Sequence, residues 1–245
     1  MSALLEVHDL TVRHGQLQAV DRFSLNVPLA EKVAVIGANG AGKTTLMRAI
    51  AGTLPSAAGR IVLDGEDITT TPTHQRVAAG IALVPEGRRL FRSLTVEENL
   101  LTGTYGKRKG PWNLPGVYDL FPWMRERRRE PSTRLSGGQQ QAVAIARALL
   151  SNPRILLIDE LSLGLAPAVV TRIYSAIPAI VDTGCAVLFV EQNVTQALAV
   201  ADYAVCLLEG RTMLEGVASQ LQRGAVEEAY FGVAHRNGGH GDGSS

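Results

Sequence analysis

The stretch GANGAGKT, residues 37–44, has the spacing of a phosphate-binding loop. Gly37, Gly40 and Gly42 let the backbone curl, so that successive N–H groups from Gly37 through Ala38, Asn39, Ala41 and on to Thr45 face phosphate oxygens. Lys43 brings an ammonium to the β and γ phosphates, and Thr44 offers a hydroxyl to Mg²⁺. A second stretch, ILLIDE, places Asp159 and Glu160 after four apolar residues, at the carboxyl end of a buried strand, where open α/β sheets bind ligands. Asp159 is expected to reach Mg²⁺ directly or through water, and Glu160 to polarise a water in line with the γ-phosphate. The alternative for the pair is a carboxylate cap on a strand that opens a turn. A third stretch, LSGGQQQ at 135–141, reads as a helix start built to hold an anion through Ser136, Gly137 and Gly138, flanked by Leu135 and Gln139. The loop at 37–44 already surrounds its own phosphates, so this second cradle is expected to serve the nucleotide of another chain, in a head-to-tail pair related by a two-fold axis.

The elements that must position these groups follow from periodicity. LLEVHDLTV (4–12) and FSLNV (23–27) alternate and read as antiparallel strands. KVAVIG (32–37) is a continuous apolar run that feeds the glycine loop, and KTTLMRAIAG after Gly42 has helical spacing with Gly52 as its stop. Further strands are expected at 60–65, 81–86, 154–160, 186–191 and 203–210, with helical patterns between most of them, which predicts an α/β fold with a mostly parallel sheet and an antiparallel β subdomain. Between about 94 and 135 helices and turns replace strands, opening with Thr95 and Glu98 in capping-box spacing; this reads as a helical subdomain inserted into one domain spanning 1–232. Pro178, inside YSAIPAIVDTG, is expected to kink or break a helix near 174–178, whereas Pro167 suits a first turn. Residues 233–245 are rich in glycine and serine and read as a flexible tail.

Composition sets limits. Of 245 residues 46% are hydrophobic, enough for a core without staples. Cys185 and Cys206 lie in apolar runs with no metal-ligand or CxxC spacing, which suggests buried, reduced thiols and a cytosolic setting. No apolar run approaches the roughly 18 residues that span a bilayer. Lys plus Arg is 24 against 23 for Asp plus Glu, so no one-signed field recruits nucleic acid or an anionic membrane, and membrane contact is expected through another protein. RERRREP (125–131) interleaves two glutamates and reads as a solvated helix end rather than a nucleic-acid patch.

GANGAGKT, LSGGQ and ILLIDE, in this order around a helical insert, resemble the ATP-binding cassette (ABC) ATPases over residues 3–232. VPEGRRLF, LTVEENL, SLGLAP and VEQN look like the branch that energises bacterial importers of branched-chain amino acids, the LivF family, with amide and urea importers left open. The resemblance implies ATP and Mg²⁺ as ligands, a second ABC ATPase chain (a heterodimer by preference, a homodimer otherwise), two membrane-spanning permease subunits, and indirectly a substrate-binding protein. It also implies a cytoplasmic chain, peripheral on the inner face of the cell membrane. Carried over residue by residue, His14 stands where the family stacks an aromatic ring on adenine, and Glu86 where most cassettes have a metal-touching glutamine. Gln192 stands at the switch histidine; its amide donates a hydrogen bond but does not titrate, which leaves Glu160 as the base. Ala166 agrees with the branch, whereas Leu161 replaces a proline and relaxes the geometry expected around Glu160. Arg88, Arg89 and Phe91 are candidates for a permease contact, and Trp112 and Trp123 read as core ahead of groove rim.

Two other classes compete. A cassette acting on ribosomes or DNA resembles tandem cassettes or carries a coiled-coil insert, and neither is present here. A regulatory nucleotide-binding subunit with little turnover is motivated by His14, Leu161 and Gln192 together.

Overall fold

The computed structural model describes residues 3–106 and 108–231; the tail expected at 233–245 lies outside the described residues. Strand β1 (Ala3–His14) pairs antiparallel with β2 (Leu17–Pro28). The chain continues through β3 (Lys32–Ile36), α1 (Lys43–Ile50), β4 (Ala58–Leu63), β5 (Glu66–Asp67), α2 (Thr73–Ala79) and β6 (Ile81–Val84). Then come α3 (Val96–Leu101), α4 (Leu114–Leu120), α5 (Trp123–Glu126) and α6 (Gly137–Leu149); among the described residues between β6 and the next strand there are only helices, turns and loops apart from one isolated bridge, Thr95 to Pro131. The remainder is β7 (Ile155–Asp159), α7 (Pro167–Tyr174), α8 (Ile177–Val181), β8 (Ala186–Glu191), α9 (Val194–Val200), β9 (Tyr203–Leu208), β10 (Arg211–Val217) and α10 (Arg223–Phe231).

These strands form two sheets. A four-stranded antiparallel sheet has the order β2-β1-β4-β5, and a six-stranded sheet the order β10-β9-β3-β8-β7-β6, parallel except for β10. The continuous apolar runs are explained by burial on both faces. In β3, Val33 and Val35 face a core shared with the antiparallel sheet and α1, while Ala34 and Ile36 face a second core shared with α6, α7 and the helices between β6 and β7. The same alternation divides Ile155 and Leu157 from Leu156 and Ile158 in β7. Phe189 of β8 has no exposed surface, and its replacement by Ala is expected to cost about 3–5 kcal/mol.

Local chemistry ends the helices where the sequence suggests. Gly52, with φ 75, follows α1. Thr95 and Glu98 form a reciprocal capping box on α3. Pro167 starts α7, and Pro178 lies in the first turn of α8, so the segment breaks into two helices after Tyr174. Strand β10 was not evident from the sequence: its residues are mostly exposed, and it is held by antiparallel pairing with β9, by Leu214 packed on the core and by the 2.7 Å ion pair of Arg211 with Asp21. Cys185 and Cys206 are buried free thiols, and burial pushes them up to about 12 and about 11.

Candidate nucleotide site

At the carboxyl end of the parallel sheet, β3 runs into the glycine loop and α1. Gly42 is the N-cap of α1 with φ 103, and a Cβ there would collide with the carbonyl oxygen of Ala19, so the position demands glycine twice over. No side chain caps this helix. The amides of Gly42, Lys43, Thr44 and Thr45 therefore have no intrahelical carbonyl and lie at the positive end of the helix dipole. Lys43, 3% exposed, donates to the carbonyls of Gly37 (2.8 Å) and Ala38 (2.9 Å) and stands 3.5 Å from Glu160 Oε1. Asn39 and Gly40 form the outer turn, and the carbonyl of Ala41 accepts from the Gly210 amide at 3.0 Å, which ties the loop to the β9–β10 turn.

Neighbouring strands bring the acidic groups. The Thr44 hydroxyl donates to Asp159 Oδ1 at 2.9 Å across 115 residues of sequence. Glu160, the first residue beyond β7, has φ 51 and accepts at Oε1 from Gln192 Nε2 at 2.9 Å. Burial holds Lys43 below the usual lysine range, opposed chiefly by Glu160. Burial also holds Asp159 above the usual carboxylate range; the Thr44 bond opposes this, and the nearby charges of Glu160 and Glu86 reinforce it. Several carboxylates thus surround one buried ammonium. Among the described residues no three His, Cys, Asp or Glu side chains form a metal cluster. The oxygens of Thr44 and Asp159, with Glu86 acting on Asp159 through charge, nevertheless suit Mg²⁺, a hard cation bound through one or two carboxylates plus substrate phosphates.

His14 is exposed at the end of β1, with Nε2 3.4 Å from the Thr45 hydroxyl. Glu86 is exposed beyond β6. The chain after it is fastened to α6: Arg147 donates to the carbonyls of Arg89 (2.9 Å) and Arg88 (3.1 Å) and lies over the Phe91 ring, while the buried Asn99 bonds both the amide and the carbonyl of Phe91. Phe91 is itself half exposed. Trp112 is buried, whereas Trp123 is only partly buried, beside a cleft of about 440 Å³ that also receives Ser136 and Gly138.

The LSGGQ stretch lies apart from this cluster. Ser136 caps α6: its Oγ accepts from the Gln139 amide at 3.3 Å, and Gln139 Oε1 accepts from the Ser136 amide at 3.0 Å. The box leaves the amides of Gly137 and Gly138 without a helical partner. Gln139 also receives Arg127 Nη1 at 2.9 Å, and Arg127 grips Glu130 with two bonds, so RERRREP includes a link to this helix start that its charge pattern did not reveal. A Cβ on Gly138 would collide with the Val169 side chain. Leu135 is buried in the core beneath. No hydrogen bond or ion pair joins residues 135–139 to residues 37–45 among the described residues.

Sequence reasoning missed Glu191. It ends β8 with 1% exposure and accepts from Tyr174, Ser162 and Gln192. The available signal was a charge closing the apolar run AVLFVE immediately before Gln192. Leu161 is buried at 1%, so the chain after Glu160 is fixed by a core side chain and by the Ser162 bonds to Glu191, where a relaxed geometry had been expected.

Residues 20–162 match the family model described as ABC transporter. The high-affinity branched-chain amino acid transport ATP-binding protein BraG of Pseudomonas aeruginosa is 40% identical over 94% of this chain and 100% of its own length. The probable branched-chain amino acid transport ATP-binding protein LivF of Archaeoglobus fulgidus is 37% identical over 89% of this chain and 94% of its own. Among solved structures, the ATP-binding subunit of an ABC transporter superposes with a TM-score of 0.80 at 28% identity, covering 94% of this chain and 99% of that one.

Proposed function

We propose that this chain, which belongs to the ABC transporter family, is the energy-coupling ATPase subunit of an importer for branched-chain amino acids. The family binds and hydrolyses ATP, and this chain is such an ATPase. The observation that carries the reading is the convergence of Lys43, Asp159, Glu160 and Gln192 on one glycine loop, in a chain of which 94% is matched by a branched-chain amino acid transport ATP-binding protein.

Each group has a role that its geometry supports. With nucleotide bound, the amides of residues 38–45 and Lys43 would hold the phosphates, His14 would stack against the base, and Thr44, Asp159 and Glu86 would hold Mg²⁺. ATP would supply the phosphoanhydride, and Mg²⁺ held there would neutralise charge on its oxygens. Glu160 accepts the proton of the attacking water, and Gln192, bonded to Glu160 Oε1, aligns the carboxylate with the γ-phosphate. Ser136, Gly137 and Gly138, flanked by Leu135 and Gln139, meet the nucleotide held by a second ABC ATPase chain, a sister chain by preference. The cassette spans 1–232, with residues 94–135 as its helical subdomain. Arg88, Arg89 and the half-exposed Phe91 are offered to two permease subunits, which hold the chain at the inner membrane face. No helix among the described residues is long and apolar enough to cross a membrane.

Affinity purification of the tagged chain from detergent-solubilised membranes tests the assembly. Two multi-span permeases and a sister ATPase are expected, and the substrate-binding protein encoded with them is expected to bind leucine, isoleucine or valine. Binding of amides or urea instead would move the reading to that branch. Recovery of ribosomal or DNA-repair proteins without a permease would overturn it.

A further inference from the structure

Glu191 joins four parts of the site. Its Oε1 accepts from Tyr174 Oη (2.6 Å) and the Ser162 amide (3.0 Å); its Oε2 accepts from Ser162 Oγ (2.6 Å) and the Gln192 amide (3.3 Å). Its backbone carbonyl accepts from the Gly37 amide at 3.2 Å. An ionised carboxylate only accepts, and these four donors fill its lone-pair directions. Burial, with Glu191 beside it, pushes the Tyr174 phenol well above its ordinary range, so the hydroxyl remains a donor. The Tyr174 ring is held edge-on against Phe189, with centroids 6.0 Å apart.

Two of the groups attached to this hub, Ser162 and the Gln192 amide, belong to the backbone that carries the Glu160–Gln192 pair. Ser162 lies two residues after Glu160, and Gln192 directly follows Glu191. Glu160 is a non-glycine residue at φ 51, a conformation that persists only where its surroundings over-determine it. Buried Leu161 and doubly bonded Ser162 do so on one side, and Gln192 Nε2 does so on the other. We infer that Glu191 is a positioning residue for hydrolysis: it sets both ends of the Glu160–Gln192 hydrogen bond and couples them to the first amide of the phosphate loop. It touches no reacting atom.

This inference rests on Glu160 serving as the base. The purified chain is assayed as Glu191→Gln, Tyr174→Phe and Glu160→Gln, with phosphate release, Mg-ATP affinity and thermal unfolding measured on each. Gln at 191 keeps one acceptor for Ser162 but turns an amide toward the Gln192 N–H. Glu191→Gln is expected to lower kcat by about 10- to 100-fold, the scale set by misplacing a reacting group, with Mg-ATP affinity within about twofold of the parent. Tyr174→Phe is expected to lower kcat less. In a Glu160→Gln background the same change is expected to remove nothing further, because both act through one base. Unchanged kcat in Glu191→Gln, or a loss of affinity and melting temperature with kcat per folded molecule intact, would overturn the inference and leave Glu191 a staple of the fold. Parental turnover in Glu160→Gln would instead remove its premise.

Discussion

The protein opens two helices with glycine-rich loops and finishes them differently. At α1 the cap is Gly42 in a left-handed conformation and no side chain reaches the amides, so all four are left to a ligand. At α6 the cap is Ser136, whose hydroxyl and the returning Gln139 side chain satisfy two of the four. The first start is complete only around phosphates. The second is stable by itself, yet keeps two glycine amides and the Ser136 O–H to donate. A surface that must engage an anion on another molecule and release it each cycle suits the second design, because its helix does not depend on the anion. The lining differs in the same sense: carboxylates and Lys43 crowd α1, whereas α6 starts beside Val169 and an apolar cleft.

The largest expected effects separate the two starts. Lys43→Ala and Ser136→Arg should each lower turnover by at least about 100-fold, the scale of removing a preorganised phosphate donor. Only Lys43→Ala should also weaken Mg-ATP binding by the isolated chain. Equal loss of binding in both, by equilibrium dialysis with labelled ATP, would erase the distinction. Gly138→Ala should lower turnover through the collision with Val169 while leaving nucleotide affinity alone, and Gly42→Ala should abolish affinity.

Asp159 sharpens the contrast from the stability side. Burial raises its folded pKa above 3.8, so the folded state holds the proton more tightly than the unfolded one, and the penalty grows as pH rises from about 3.8 through the folded value. Asp159→Asn, which keeps an acceptor for Thr44, should therefore stabilise the nucleotide-free chain by about 0.5–2 kcal/mol while abolishing hydrolysis, and the gain in melting temperature should shrink toward pH 4. The smallest effect belongs to α6. Gln139→Ala opens the capping box and removes one of the three bonds of Arg127, and should cost about 0.5–1 kcal/mol, or roughly 1–4 °C.

Much of this organisation was legible because it is local. The loop at 37–44, the apolar run before Asp159 and the hydroxyl ahead of Gly137 each state their chemistry within a few residues, and buried strands announce themselves by unbroken apolar runs. What was hidden is tertiary. Glu191 meets Ser162 29 residues away and Tyr174 17 away, and no spacing rule links them. Arg127 reads as one charge among many until Gln139 is seen beside it. Strand β10 is exposed at most of its positions and lacks a hydrophobic signal. Leu161 misled because its sequence position was legible and its burial was not.

The central claim is that one ATP is held by the α1 start of this chain or its partner and by the α6 start of the other. Light scattering on Glu160→Gln, alone and with the sister ATPase recovered from membranes, tests it at saturating Mg-ATP. The account predicts a two-cassette mass that appears with Mg-ATP and is lost when Ser136→Arg is added to the same chain. A one-cassette mass in both mixtures, or a dimer indifferent to Ser136→Arg, would contradict it.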